Sequence, residues 1–207
     1  MGGRREERLR RDREREAAER RRQRNGYLVA GGLVLATIAI VVFALTAGGR
    51  DDKPTTDQAK RLDQLAAAAG CTVRSFPAEG RGHTEKPVRY RTNPPTSGDH
   101  NPVPADDGEY TNGPPPQEAI VHSLEHGRVV LQYRPTASAA ARVGLKRVFD
   151  ADPSKLLLLE NRTGMPYEVA ATAWTHLIGC KRYGERVPAA LGAFRDAYRD
   201  RAPERVP

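Results

Sequence analysis

"QEAIVHSLEHGRVVLQY", residues 117–133, is where the chain changes its period. Up to His126 the apolar residues Ile120, Val121 and Leu124 recur at helical spacing, and past Gly127 the β-formers Val129, Val130, Leu131 and Tyr133 run almost unbroken. Prolines 114–116 precede the helix, where its first turn tolerates them, and Gly127 suits the left-handed position just past its end. A helix passing into a strand through one glycine predicts alternating helical and sheet layers. At roughly 100° per residue, Ile120, Val121 and Leu124 fall on one side of the helix, and Glu118, His122, Glu125 and His126 on another. The two histidines are therefore not expected in the apolar stripe. A water-facing polar side is the plain expectation, and a ligand site is the chemical one.

Working outward, residues 136–150 read as a helix, 155–160 (KLLLLE) as a buried strand, and 167–180 as a further strand, with a helix as the alternative. Residues 189–201 read as an amphipathic helix with Leu191, Phe194 and Tyr198 on one face. On the other side, 57–69 reads as a helix capped by Asp57 and closed by Gly70, followed by the strand "CTVRSF" at 71–76. Strands separated by helices predict an α+β fold, a small mixed-sheet sandwich filling residues 57–207.

Between them lies 77–117, with nine of the chain's sixteen prolines. Loops beyond about 12–15 residues are uncommon in compact domains unless functional or disordered. Tyr90, Tyr110 and His83, set among Gly98, Gly108, Asn93 and Asp99, predict an ordered loop folded over the body.

Residues 1–25 hold 11 Arg and 6 acidic groups, so much of the net charge of +8 sits in a tail. Its charges alternate as on a solvated helix and lack aromatic interleaving, which argues against nucleic acid as a partner. Tyr27–Ala47 is 21 residues without a charge, long enough to span a bilayer core of roughly 30 Å. The arginines before it set a cytoplasmic N-terminus. The expectation is a single-pass plasma-membrane protein, with a cytoplasmic tail at 1–25, an anchor at 26–47, a linker at 48–56 and an extracytoplasmic domain at 57–207. Cys71 and Cys180, the two cysteines, would there form a disulfide.

The chain has five histidines, and four of them (His83, His100, His122 and His126) lie on the proline-rich loop and the helix after it. Histidines at i and i+4 can reach one ion with bonds near 2.0–2.1 Å. His83 and His100 would complete the set, with Asp99 and Glu125 either as further ligands or holding imidazoles from behind. Imidazole ligands suit zinc, copper or nickel, with zinc or copper expected here. His176 shares strand parity with Trp174 and Ile178, which suggests packing. Met165 in "TGMPY" reads as a packed turn.

"TNPPTSGDHNP", "VHSLEHGRVVLQY", "MPYEVAATAW" and the paired cysteines together resemble an uncharacterised bacterial family, domain of unknown function 3105, over about residues 65–204. Its histidine-bearing phrases fall on His83, His100, His122 and His126, and Asp99 stands where proline is usual. The resemblance brings no activity with it.

Two other functions stay open. The loop of an envelope interaction module would bind a protein or glycan, with the histidines as hydrogen-bonding scaffold. Alternatively, His122-Ser-Leu-Glu125-His126 is the H-x-x-E-H order of an inverted zincin, with Glu125 as general base and a downstream Glu160, Glu168, Glu185 or Glu204 as third ligand. No G-x-S-x-G, phosphate loop or C-x-x-C is present.

Overall fold

The computed structural model describes residues 53–204 and 206. The expected tail and membrane anchor, and most of the linker, lie outside the described residues. Among the described residues, no helix is long and apolar enough to cross a membrane.

The domain opens with α1 (Thr56–Ala69), one residue earlier than the sequence suggests. Its cap is Thr55 rather than Asp57. The Thr55 hydroxyl accepts from Gln58 N, and the Gln58 side chain accepts from Thr55 N, which satisfies two donors that Asp57 could not serve together. Gly70, in the left-handed region, ends the helix and turns the chain into β1 (Cys71–Ser75). After the long loop, which contributes the three-residue β2 (Gly108–Tyr110), come α2 (Gln117–Glu125), β3 (Val129–Tyr133), α3 (Ala139–Ala151) and β4 (Leu156–Glu160). The expected single strand at 167–180 is instead a hairpin, β5 (Val169–Ala173) and β6 (His176–Cys180), and α4 (Val187–Tyr198) closes the fold.

All six strands form one mixed sheet in the order β1-β6-β5-β3-β4-β2. β3, β4 and β2 are parallel, and β5, β6 and β1 pair antiparallel. Cys71 sits opposite Cys180 in the β1–β6 register, and the two are disulfide-bonded. The fold class is thus α+β, with four helices among the described residues around a six-stranded mixed sheet.

Helices cover the two faces unequally. Val129, Leu131, Leu156 and Leu158 pack with α1, α3 and α4, whereas the alternate Val130, Leu157 and Leu159 pack with α2 and the loop. Burial on both faces explains why β3 and β4 read as continuous apolar runs.

The hairpin was hidden because its turn, Trp174–Thr175, carries no glycine or asparagine. Thr175 is held at φ 61° by long-range bonds: its N–H donates to Thr96 O, and its carbonyl accepts from Phe76 N. The turn also separates side chains that strand parity had aligned. Trp174 joins the loop-side core, Ile178 joins the other, and His176 stacks on Tyr198 with ring centroids 4.1 Å apart. His176 is a packing residue, as the sequence suggested, and Met165 is a buried one.

Candidate metal centre

Helix α2 is buried all round. Its apolar side enters the core, and its His/Glu side lies beneath the proline-rich loop rather than in water. Backbone bonds clamp the loop down: Asn101 N donates to Glu118 O and Ala105 N to Ala119 O. Side chains add to this, with Val88 N donating to the Glu118 carboxylate and Ser123 Oγ to Ala105 O. At the helix end Gly127 is required, since a Cβ there would approach Asp200 Cα to 3.0 Å at φ +79°.

Within the loop, two distant segments run side by side. His100 N donates to Gly82 O at 2.9 Å and Thr84 N to His100 O at 2.7 Å, a parallel bridge that sets His83 beside His100. Asp99 serves this bridge: its carboxylate accepts from Gly82 N, and its carbonyl accepts from the Tyr90 hydroxyl. The Tyr90 ring lies over Gly98, where φ is +127° and a Cβ would come within 2.8 Å of the ring.

These contacts bring His83, His100, His122 and Glu125 together, with one potential ligand atom from each within 4.8 Å of the others. Ligands at tetrahedral angles around one ion stand roughly 3.3 Å apart, so the widest pair would draw together by up to about 1.5 Å to share it. His122 also belongs to a second group, with His126 and Glu204. His126, expected in the same set as the other three histidines, thus falls in a neighbouring group. Glu125, expected either as a ligand or behind the imidazoles, stands among them.

Hydrogen bonds fix which ring atoms face the cluster. His122 Nδ1 lies 2.6 Å from Asn101 O, and His100 Nδ1 lies 2.8 Å from Gly98 O. A carbonyl only accepts, so each Nδ1 carries a proton, and in the neutral ring each Nε2 presents a lone pair. His122 Nε2 faces His126 Nε2 at 3.0 Å. His100 Nε2 lies 2.9 Å from Glu125 Oε2 but lacks a hydrogen bond's alignment, and it stays a buried nitrogen without a hydrogen-bond partner. Arg81 Nε donates to Glu125 Oε1 at 2.6 Å, which leaves Oε2 as the oxygen facing His100.

Burial lowers the pKa of His122, with the Asn101 carbonyl opposing and the three neighbouring histidines assisting. Burial also lowers that of His126, helped by Arg128 and opposed mainly by Glu204 and Glu125. Both rings are thereby kept neutral, the form that binds metal.

Of the four downstream glutamates, Glu204 reaches the cluster, its Oε2 3.5 Å from His126 Nε2. Glu160 pairs with Arg162, and Glu168 accepts from Ser138 N and Tyr183 N. The H-x-x-E-H order thus gains an acidic candidate for its third ligand, but Glu125 is buried, with Oε1 held by Arg81 and Oε2 against His100, away from the solvent that would supply a hydrolytic water. Arg81 and Asn101 are contributors that the sequence did not single out, and Glu204 is one of the four downstream glutamates it left open. Arg81 and Asn101 flank the loop histidines closely enough to have been suspected. Glu204, nearly 80 residues past His126, carries no local signal.

The fold and site together define a mixed-sheet domain whose proline-rich loop is clamped over a helix to enclose a His/Glu cluster. The chain belongs to the family described as protein of unknown function (DUF3105), whose pattern matches residues 83–206, more than half of its length. That span begins at His83 and takes in every member of both groups. No curated protein and no solved structure matches the chain.

Proposed function

We propose that this domain binds one divalent transition-metal ion, zinc or copper, through His83, His100, His122 and Glu125. It would handle that ion outside the plasma membrane, on a protein anchored by Tyr27–Ala47. The reading is carried by His100 Nε2. In the neutral ring its proton sits on Nδ1, so a lone pair and a carboxylate oxygen face each other at 2.9 Å between two fully buried side chains. Two electron-rich atoms that close, shielded from water, repel unless a cation lies against both. A proton on Nε2 would instead make the contact an imidazolium–carboxylate ion pair, without the alignment of a hydrogen bond. A metal ion needs no such alignment between its ligands.

The test is elemental analysis of the full chain, prepared without a histidine tag, beside His100→Ala/His122→Ala. About one equivalent of zinc or copper in the wild type, lost in a variant that keeps its disulfide and circular dichroism, is the expected result. A wild-type protein that takes up neither ion after exposure to both would overturn the proposal.

A second reading has an observation of its own. Pro95, Pro114, Pro115, Ile120 and Leu159 wall a pocket of about 290 Å³, with Gln132 and Asn161 among its polar lining. Such a pocket suits an envelope protein or glycan partner, and the histidines would then only pin the loop. In that case the double-alanine variant loses stability and no metal.

A further inference from the structure

We infer that the cluster offers two mutually exclusive positions for a single ion, an inner one and an outer one, with His122 passing the ion between them. This rests on the metal reading above. The inner position is His83, His100, His122 and Glu125, and the outer is His122, His126 and Glu204. His122 enters both with the same atom, because its Nδ1 is held by Asn101 O and only Nε2 is available. One lone pair serves one ion, so the two positions cannot fill together.

The positions differ in access. Three inner ligands, His100, His122 and Glu125, are buried and His83 is exposed, whereas in the outer group Glu204 is 45 % exposed and His126 14 % by side chain. The outer group thus presents two ligands to solvent and the inner one presents His83 alone. His122 Nε2 and His126 Nε2, 3.0 Å apart, can grip one ion at an angle of roughly 94° for bonds near 2.05 Å, which is acceptable in an open coordination shell. Arg81 stands between the two carboxylates, 2.6 Å from Glu125 and 3.9 Å from Glu204. It can lean toward whichever one the ion leaves.

Transfer is ligand exchange without redox change. The bonds to His126 and Glu204 break, those to His100, Glu125 and His83 form, and the ion sheds the waters it carried in. His122 stays bound throughout. The outer group is thus a loading station for the buried one.

The experiment follows zinc uptake by the metal-free full chain from a weak chromophoric chelator, and its release to a strong one. Wild type is compared with His126→Ala/Glu204→Gln, the conservative single variant Glu204→Gln, and His100→Ala. The inference predicts one equivalent in wild type and in the His126/Glu204 variant. Uptake and release should be slower in the double variant by about 10-fold or more, a loss typical of removing metal-adjacent groups, with Glu204→Gln intermediate. His100→Ala should keep fast exchange but hold the ion more weakly. Unchanged rates in the double variant would overturn the inference while leaving the metal reading intact, as would two equivalents bound at once by wild type. No zinc bound by wild type would sink both together.

Discussion

At His100 and His122 the same device recurs: a backbone carbonyl takes the Nδ1 proton, and Nε2 is left aimed at the cluster. The carbonyls belong to Gly98 and Asn101, on either side of His100, so one short segment orients both rings. Gly98→Ala should be costly for that reason. Its Cβ would meet the Tyr90 ring at 2.8 Å in a backbone region that L-residues rarely adopt. A destabilisation of about 1–3 kcal/mol, read by urea unfolding, is expected together with loss of bound metal. Full stability and full metal content would show that Gly98 does not set the rings. Glu125→Gln keeps an acceptor for Arg81 but removes the charge beside His100. Metal affinity should fall by about 10–100-fold, by competition with a chelator, with circular dichroism unchanged. The identity of these residues was legible because histidine is rare in this chain and four of the five lie on one loop and the helix after it. Their grouping was not, because the backbone bridge between His83 and His100 and the arrival of Glu204 are long-range events without a local signature.

Helices and buried strands were legible wherever period and punctuation agreed. Gly70 and Gly127 mark helix ends, and the runs "VVLQY" and "LLLLE" mark strands covered on both faces. The hairpin and β2 escaped because tertiary partners define them: Thr96 and Phe76 hold the Thr175 turn, and β2 exists by pairing with β4. That hairpin also carries an acid sensitivity separate from the metal site. His176, at the start of β6, stacks on Tyr198 with Nδ1 against Ser75 Oγ, and burial lowers its pKa from 6.5 to about 4. The folded ring stays neutral where the unfolded one is already charged, so the unfolded state binds more protons in that window. The stability due to the neutral ring is complete above pH 6.5 and is lost as pH falls toward about 4. Thermal melts across this range should show a steeper acid loss in wild type than in His176→Phe. Identical pH profiles would contradict the assignment.

For the whole molecule, the disulfide and the loop clamp act at different ends of the design. Cys71–Cys180 ties the edge strand β1 to β6 and closes a long span of chain. By the chain-entropy model its removal costs up to about 4–5 kcal/mol. Cys71→Ser/Cys180→Ser should therefore lower the urea midpoint markedly, and an unchanged midpoint would show that the bond closes no entropy-costly loop. The pairing also accords with the proposed extracytoplasmic side, where such bonds persist. The clamp encloses the cluster: lifting residues 77–117 from α2 would remove His83 and His100 while His122 and Glu125 stayed on the helix.

Most direct for the quartet itself is a crystal structure of the zinc-loaded chain with anomalous data at the zinc edge. A single peak roughly 2.0–2.1 Å from Nε2 of both His100 and His122, with Glu125 and His83 completing the shell, is the predicted result. Zinc-soaked crystals without such a peak, and with His100 Nε2 hydrogen-bonded to Glu125 in its place, would make the cluster a structural clasp and contradict the account.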